Sequence, residues 1–185
     1  MIDLKNKLSR RRFMRLAALG AGGVCLFSQC AKATTEWRFF TNSEARLMDA
    51  LADQIIPPDE WPGGRESGVT NFIDKQLTGP YLRFQSEYRI GLKGIQDSCE
   101  TLYHQKFEKL QWDEQTSFLE MMEGGMMKDN VLSEGLDRKF FGLIRDHSMQ
   151  AYYGSSRHGG NRDNISYKML KLDYPLIVGQ NRYKS

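Results

Sequence analysis

One short segment near the end of the chain concentrates the residue types that enzymes and binding sites use. It reads "HGGNRD" from His158 to Asp163. The His-Gly-Gly run is similar to an oxyanion-hole loop, the paired glycines permit positive φ or a close backbone approach, and the guanidinium of Arg162 offers a fork for a carboxylate. We therefore weigh three roles for the segment: an active site, a docking surface, or a loop that packs on its own domain.

The rest of the sequence gives little support for catalysis or for a bound cofactor. It contains no Gly-x-Ser-x-Gly nucleophile elbow and no Gly-x-Gly-x-x-Gly motif after a strand, and Gly159-Gly160 is not followed by the Lys-Ser/Thr of a phosphate loop. The three histidines, His104, His147 and His158, lack helical ligand spacing. His147 falls on the apolar face of a predicted helix, which favours a core histidine. We expect no cofactor and no metal in this chain.

Residues 1–33 have the pattern of a twin-arginine export signal. The motif "SRRRFMR" precedes an apolar run over 16–27, and Ala31-Lys32-Ala33 is a small-x-small cleavage site. The residues that carry the motif are Ser9, Arg10, Arg11 and Phe13. We expect export to the periplasm through the twin-arginine translocase and cleavage after Ala33. The alternatives are lipidation at Cys30 and retention of the segment as an N-terminal anchor.

Removal of this signal changes the charge balance and the cysteine count. The whole chain has a net charge of +3, but residues 1–33 hold seven of its 26 basic residues and one of its 23 acidic residues. The mature chain therefore carries −3, which argues against nucleic-acid binding. Cys25 and Cys30 leave with the signal, so the remaining Cys99 has no partner for an internal disulfide. Cys99 lies at an apolar helical position and is predicted to be buried.

Hydrophobic periodicity predicts a single compact all-α domain over residues 34–185. A capping box at Thr41–Glu44 begins the first helix, and Pro57-Pro58 follows its end. Further apolar patterns with a spacing of three and four residues predict helices over 72–77, 84–102, 112–122 and 136–152. Gly91 and Gly94 interrupt the third of these helices and indicate close helix packing. Gly154 is the predicted stop of the last one.

Four stretches of the chain resemble one known family in their order and spacing. They are "LMDALADQIIPPDEWPGGRESGVTNFIDKQL", "YRIGLKGI", "KFEKLQWDEQTSFLEMM" and "FFGLIRDHSMQAYYGSSRHGGNRDNISYKML". Together they make residues 40–175 similar to the gluconate 2-dehydrogenase subunit 3 family. The chain departs from the family near its end, where Gly-Trp-Lys and Gly-Tyr-Pro-Gly are usual. Here those positions read Ser166-Tyr167-Lys168 and Asp173-Tyr174-Pro175-Leu176.

The resemblance implies a cofactor-free accessory subunit. FAD and the active site would then lie in a large subunit of the glucose-methanol-choline (GMC) flavoprotein type, and electrons would pass to a cytochrome c or a quinone pool. The resemblance also accounts for the signal, because the folded flavoprotein would be exported together with the small subunit. Family members serve dehydrogenases of gluconate, fructose, sorbitol and glycosides, so the resemblance leaves the substrate open.

Two functional hypotheses follow for the exposed residues. An accessory subunit needs an apolar, aromatic surface that a partner covers. The candidate interface residues are Trp61, Tyr81, His158, Asn161, Arg162, Asp163, Tyr167 and Tyr174. The alternative is a free-standing periplasmic enzyme or small-molecule-binding protein that uses the His158–Asp163 loop. A concave pocket with a strongly perturbed titratable group would favour the alternative, and a flat patch would favour docking.

Overall fold

A computed structural model describes residues 36–127, Leu132 and 135–172, and within them it confirms the all-α prediction. The described residues form six α-helices and no strand. The helices are α1 (Asn42–Ile55), α2 (Val69–Leu77), α3 (Gln85–Tyr103), α4 (Trp112–Gly124), α5 (Leu136–Tyr153) and α6 (Ile165–Met169). The predicted signal at 1–33 and Tyr174 lie outside the described residues.

Local signals in the sequence set the ends of these helices. The predicted capping box is present at α1, where the backbone N–H of Thr41 donates to Glu44 at 2.8 Å and the Thr41 hydroxyl accepts from the backbone N–H of Glu44 at 3.2 Å. Gln111 and Glu114 form a second box at the start of α4. Helix α1 ends two residues before the proline pair, and Gly154 caps α5 as predicted.

Helix α5 lies at the centre of the domain and packs against all five other described helices. Two glycines of α3 permit close packing, Gly91 against α5 itself and Gly94 against Leu132, which precedes α5. A Cβ atom at Gly91 would lie 2.3 Å from the ring of Phe140, and one at Gly94 would lie 2.6 Å from the side chain of Leu132. The predicted role of both glycines in close packing is therefore confirmed.

Helix α3 also carries the one cysteine of the described residues. Cys99 is fully buried, and burial raises the pKa of its thiol to about 12. The thiolate is the nucleophilic form, so this side chain acts as a small core hydrophobe. The prediction of a buried, unreactive Cys99 is confirmed.

A buried carboxylate joins the N-terminal part of the domain to α2. Asp74 is 3 % exposed, and its two oxygens accept hydrogen bonds from the backbone N–H groups of Arg38, Phe39 and Phe40 at 2.8, 2.9 and 2.9 Å. Charge-assisted bonds of this kind are roughly twice as strong as neutral ones. Arg89 adds a second contact, since its guanidinium lies over the Phe39 ring and donates to the Phe39 carbonyl. Asp74 therefore holds the segment before α1 against the core.

We predict that Asp74→Asn lowers the free energy of unfolding by about 3 kcal/mol, because a neutral amide accepts fewer and weaker bonds from three N–H donors. Urea unfolding followed by circular dichroism measures the loss. Glu120→Gln is the matched control, because Glu120 is an exposed acid on α4. An equal effect of the two substitutions would contradict the assigned role of Asp74.

Candidate functional site

The segment between α5 and α6 is a sequence of tight turns. After Gly154 it forms one 3-10 turn over Ser156–His158 and a second over Arg162–Asn164, and the chain then enters α6. Three residues other than glycine have positive φ here: Asn161 (44°), Asp163 (55°) and Asn164 (58°). Asn and Asp tolerate this left-handed conformation better than other side chains do. The composition "NRDN" therefore matches the backbone that the segment adopts.

The two adjacent glycines of this segment have different roles. Gly159 has a φ of 102°, which disfavours a side chain. Gly160 is required by space, because a Cβ atom there would lie 2.4 Å from the backbone oxygen of Ala151 in α5. The His-Gly-Gly run thus brings the chain back against the end of the central helix.

Asn161 holds the segment in place from inside the domain. Its side chain is fully buried, its amide nitrogen donates to the Gly154 carbonyl at 2.7 Å, and its amide oxygen accepts from the Ser166 backbone N–H at 3.0 Å. One residue therefore joins the end of α5 to the first turn of α6. This placement makes Asn161 an internal joint, and the side chain has no exposed surface to offer a partner.

The segment also packs against the proline-rich loop that precedes α2. The Arg162 backbone N–H donates to the Ser67 carbonyl at 2.9 Å, and the Asn71 side chain donates to the Gly159 carbonyl at 2.7 Å. The hydroxyl of Tyr152 reaches the Pro62 carbonyl at 3.1 Å. Two stretches that are about 90 residues apart in sequence thus form one packed unit.

Charged groups of the domain itself face Arg162. Asp49 on α1 accepts a 2.6 Å hydrogen bond from the Thr70 hydroxyl. Burial raises the pKa of the Asp49 carboxyl, and the charges of Arg65 and Arg162 oppose that rise. The guanidinium that the sequence offers to a bound carboxylate therefore interacts with a carboxylate of its own domain.

The predicted interface residues differ in their exposure. Exposed among them are His158, Arg162 and Asp163. Half-buried are Trp61, Tyr81 and Tyr167. Only Asn161 is buried, and Tyr174 lies outside the described residues. The segment thus brings His158, Arg162 and Asp163 to the surface, whereas the aromatic candidates lie on separate elements.

His147 is a core histidine, as predicted. It is 4 % exposed, its Nδ1 lies 3.0 Å from the Tyr88 hydroxyl, and its ring stacks on Tyr81 with centroids 4.1 Å apart. Burial is the largest influence on this imidazole and lowers its pKa from 6.5 to about 4. His147 is therefore neutral at pH 7 and joins α5 to α3 through Tyr88.

Beside His158 lies a shallow, open depression that the sequence patterns did not indicate. It is lined by Phe72, Met149, Tyr153 and His158, among others, and Met149 and Tyr153 are 42 % and 41 % exposed. The missed signal is the pair Met149 and Tyr153, four residues apart on α5. This pair lies on a different side of the helix from its core residues Phe140 and Ile144.

No group of three or more His, Cys, Asp or Glu side chains within 36–127, 132 and 135–172 is arranged to hold a metal ion. None of the helices in this part of the chain is both long enough and apolar enough to cross a membrane.

The geometry defines a compact helical domain in which a glycine-rich segment and a proline-rich loop pack around the C-terminal end of a central helix. The model of the family described as gluconate 2-dehydrogenase subunit 3 matches residues 42–173, and the chain belongs to that family of dehydrogenase small subunits. No curated protein and no solved structure matches the chain. The family resemblance read from the sequence is thereby confirmed.

We predict that burial of neutral His147 makes the domain less stable in mild acid. The folded-state pKa is lowered to about 4, so as pH falls below 6.5 the unfolded chain takes up a proton that the folded chain does not. The resulting loss reaches about 3 kcal/mol between pH 7 and pH 4. Urea unfolding at several pH values should show a shallower pH slope for His147→Gln than for the wild-type chain. His104→Gln, at an exposed histidine, should keep the wild-type slope.

We predict that Gly160→Ala destabilises the domain by about 2 kcal/mol, because the added methyl group meets the Ala151 backbone oxygen. The control is Gly142→Ala within α5, where nothing lies within 4 Å of the new Cβ atom. That substitution should raise stability by up to about 1 kcal/mol through helix propensity. Thermal unfolding of both variants measures the difference, and a harmless Gly160→Ala would refute the close approach.

Proposed function

We propose that this chain is the non-catalytic small subunit of a periplasmic FAD-dependent dehydrogenase that oxidises a sugar, a sugar acid or a glycoside. In this role it supports the export and the stability of a flavoprotein large subunit. The observation that carries the proposal is membership of the dehydrogenase small-subunit family over residues 42–173, well over half of the chain.

The geometry of the glycine-rich segment supports an accessory role. The amide of Asn161, the carbonyl of Gly159 and the backbone N–H of Arg162 all bond to other parts of the domain. An oxyanion hole needs free donors that converge on one point outside the backbone. These groups are used for folding, which favours the packed-loop role of the segment.

The predicted signal gives the accessory role a purpose. The twin-arginine route exports proteins that are already folded, so a flavoprotein loaded with FAD can be exported with a small subunit that carries the signal. The large subunit would be of the GMC type and would bind FAD. A cytochrome c or a quinone would accept the electrons.

The alternative function, a free-standing periplasmic enzyme or small-molecule-binding protein, requires a concave site at the His158–Asp163 loop. His158 instead borders an open depression whose other walls include Phe72, Met149 and Tyr153. The described groups with the largest pKa shifts, His147, Tyr88 and Cys99, lie inside the core. A shallow apolar surface favours docking over catalysis.

We predict that the tagged full-length chain, purified from the periplasm of its native cells, brings down a larger second chain with the absorbance spectrum of FAD. The eluate should reduce a redox dye when the correct sugar, sugar acid or glycoside is added. A colourless, monodisperse single chain with no dye reduction would refute the subunit proposal.

The control for the export step replaces Arg10 and Arg11 with lysine, which keeps the positive charge. We expect both the small subunit and the flavoprotein activity to remain in the cytoplasm of cells that carry this variant. Normal periplasmic activity of the variant would contradict a twin-arginine signal at Ser9–Phe13.

A further inference from the structure

Exposed apolar side chains line two depressions along α5 of the described domain. Ten large hydrophobic residues of the described chain are exposed, and four of them border these depressions. Ile90 and Leu136, 49 and 44 % exposed, line a groove between α3 and α5, and Met149 and Tyr153, 42 and 41 % exposed, line a depression between α5 and α2. We call this surface the α3–α5 face. Large contiguous apolar patches on a folded chain mark interaction sites.

The face has two parts, which meet at Tyr81. At one end a groove of about 400 Å³ is lined by Phe84, Ile90, Leu136 and Leu143, among others. At the other end is the shallow depression beside His158. Tyr81 bridges them, because its ring lies 5.9 Å from that of Phe84 and 6.1 Å from that of Phe72. Its hydroxyl bonds to Gln150 of α5. The 18 residues of α5 give the face a length of about 27 Å.

The bridge at Tyr81 is rigid, which suits a docking surface. Its ring stacks on buried His147, and Phe84 meets the same imidazole edge-on at 5.2 Å. Aromatic side chains held in this way lose little conformational freedom on binding. Tyr81 and His158, two of the interface candidates from the sequence, therefore belong to this face.

The charges at the border of the face are mostly positive. Lys139 lines the groove, Arg83 lies 4.6 Å from the centre of the Phe84 ring, and Arg157 adjoins His158. The acids nearby are Glu87 in the groove and Asp146, which pairs with Arg145. A complementary partner surface has an apolar ridge flanked by carboxylates.

We propose that the α3–α5 face binds the flavoprotein large subunit, through a segment of that partner with an apolar ridge and acidic flanks. This inference rests on the proposed function and adds to it the surface and the chemistry of the contact. The apolar residues of the groove, together with Tyr81, form the buried centre of the interface. The basic residues form its polar rim.

The test is the capture experiment repeated with Ile90→Glu and Met149→Glu in the full-length chain. Both residues are exposed, so the fold is kept, and each new carboxylate would meet the apolar ridge of the partner. We expect the flavin bound per tagged chain to fall by at least about tenfold for the double variant. The matched control is Leu102→Glu, since Leu102 is 53 % exposed on the same helix α3 but lines neither end of the face. It should capture as much flavin as the wild-type chain.

A second arm tests the charges. Lys139→Glu should weaken capture severalfold at low salt and less at high salt, because the interaction between the rims is screened. Lys109→Glu, at an exposed lysine outside the face, should change nothing. The thermal unfolding midpoint of each variant should be unchanged. Any loss of flavoprotein capture then comes from the interface and not from unfolding of the variant.

The outcomes separate the two proposals. If the wild-type chain captures the flavoprotein and Ile90→Glu with Met149→Glu captures it equally well, the α3–α5 face is wrong and the subunit role stands. If the wild-type chain captures no flavoprotein, both fail. If the double variant only converts a dimer of this chain to a monomer and keeps its flavin, the face binds a second copy and our assignment is overturned.

Discussion

The domain depends on a central helix that buries polar side chains. Helix α5 contacts all five other described helices, and it places His147 and Asp137 in a region without solvent. Buried polar groups destabilise a fold unless they are hydrogen-bonded. His147 meets this requirement with the Tyr88 hydroxyl, and Asp137 meets it with the backbone N–H groups of Met127 and Arg138. These bonds fix the position of α5 along its neighbours more narrowly than apolar packing alone would.

The same requirement explains the segment that looked most like a functional site, the His158–Asp163 loop. The end of α5 is closed by Asn161, by the close approach of Gly160 to Ala151 and by the bond from Arg162 to Ser67. A central helix needs such a closure because the last carbonyls of a helix have no partner within it. Residue types that form an oxyanion hole or an anion site in other proteins here connect the end of α5 to the start of α6.

Because the His158–Asp163 loop packs against its own domain, the exposed apolar surface lies on the α3–α5 face instead. Leu136 and Leu143 of α5 border a groove beside buried Phe140, and Phe84 and Tyr81 extend the apolar surface from that groove. His147 connects the interior to this face, since it bonds to Tyr88 on one side and stacks on Tyr81 on the other. The hydrogen-bonded pair His147 and Tyr88, which positions the central helix, thus also stiffens the α3–α5 face that we assign to the partner. We propose that the small subunit contributes to its dehydrogenase by offering such a preformed surface.

The sequence by itself determined the family and the first five helices, because those depend on local signals: the capping box at Thr41, the glycine stop at Gly154 and the periodic apolar residues between them. It also placed His147 and Cys99 in the core from their helical positions. It did not predict the short helix α6. Only the tertiary structure decided the roles of Asp74 and Asn161, because their partners are the backbone groups of segments brought close by folding. It likewise decided which apolar residues of α5 stay exposed. Leu136 and Phe140 are one helical turn apart on the same face, and only the packing of the other elements shows that Phe140 is covered and Leu136 is not.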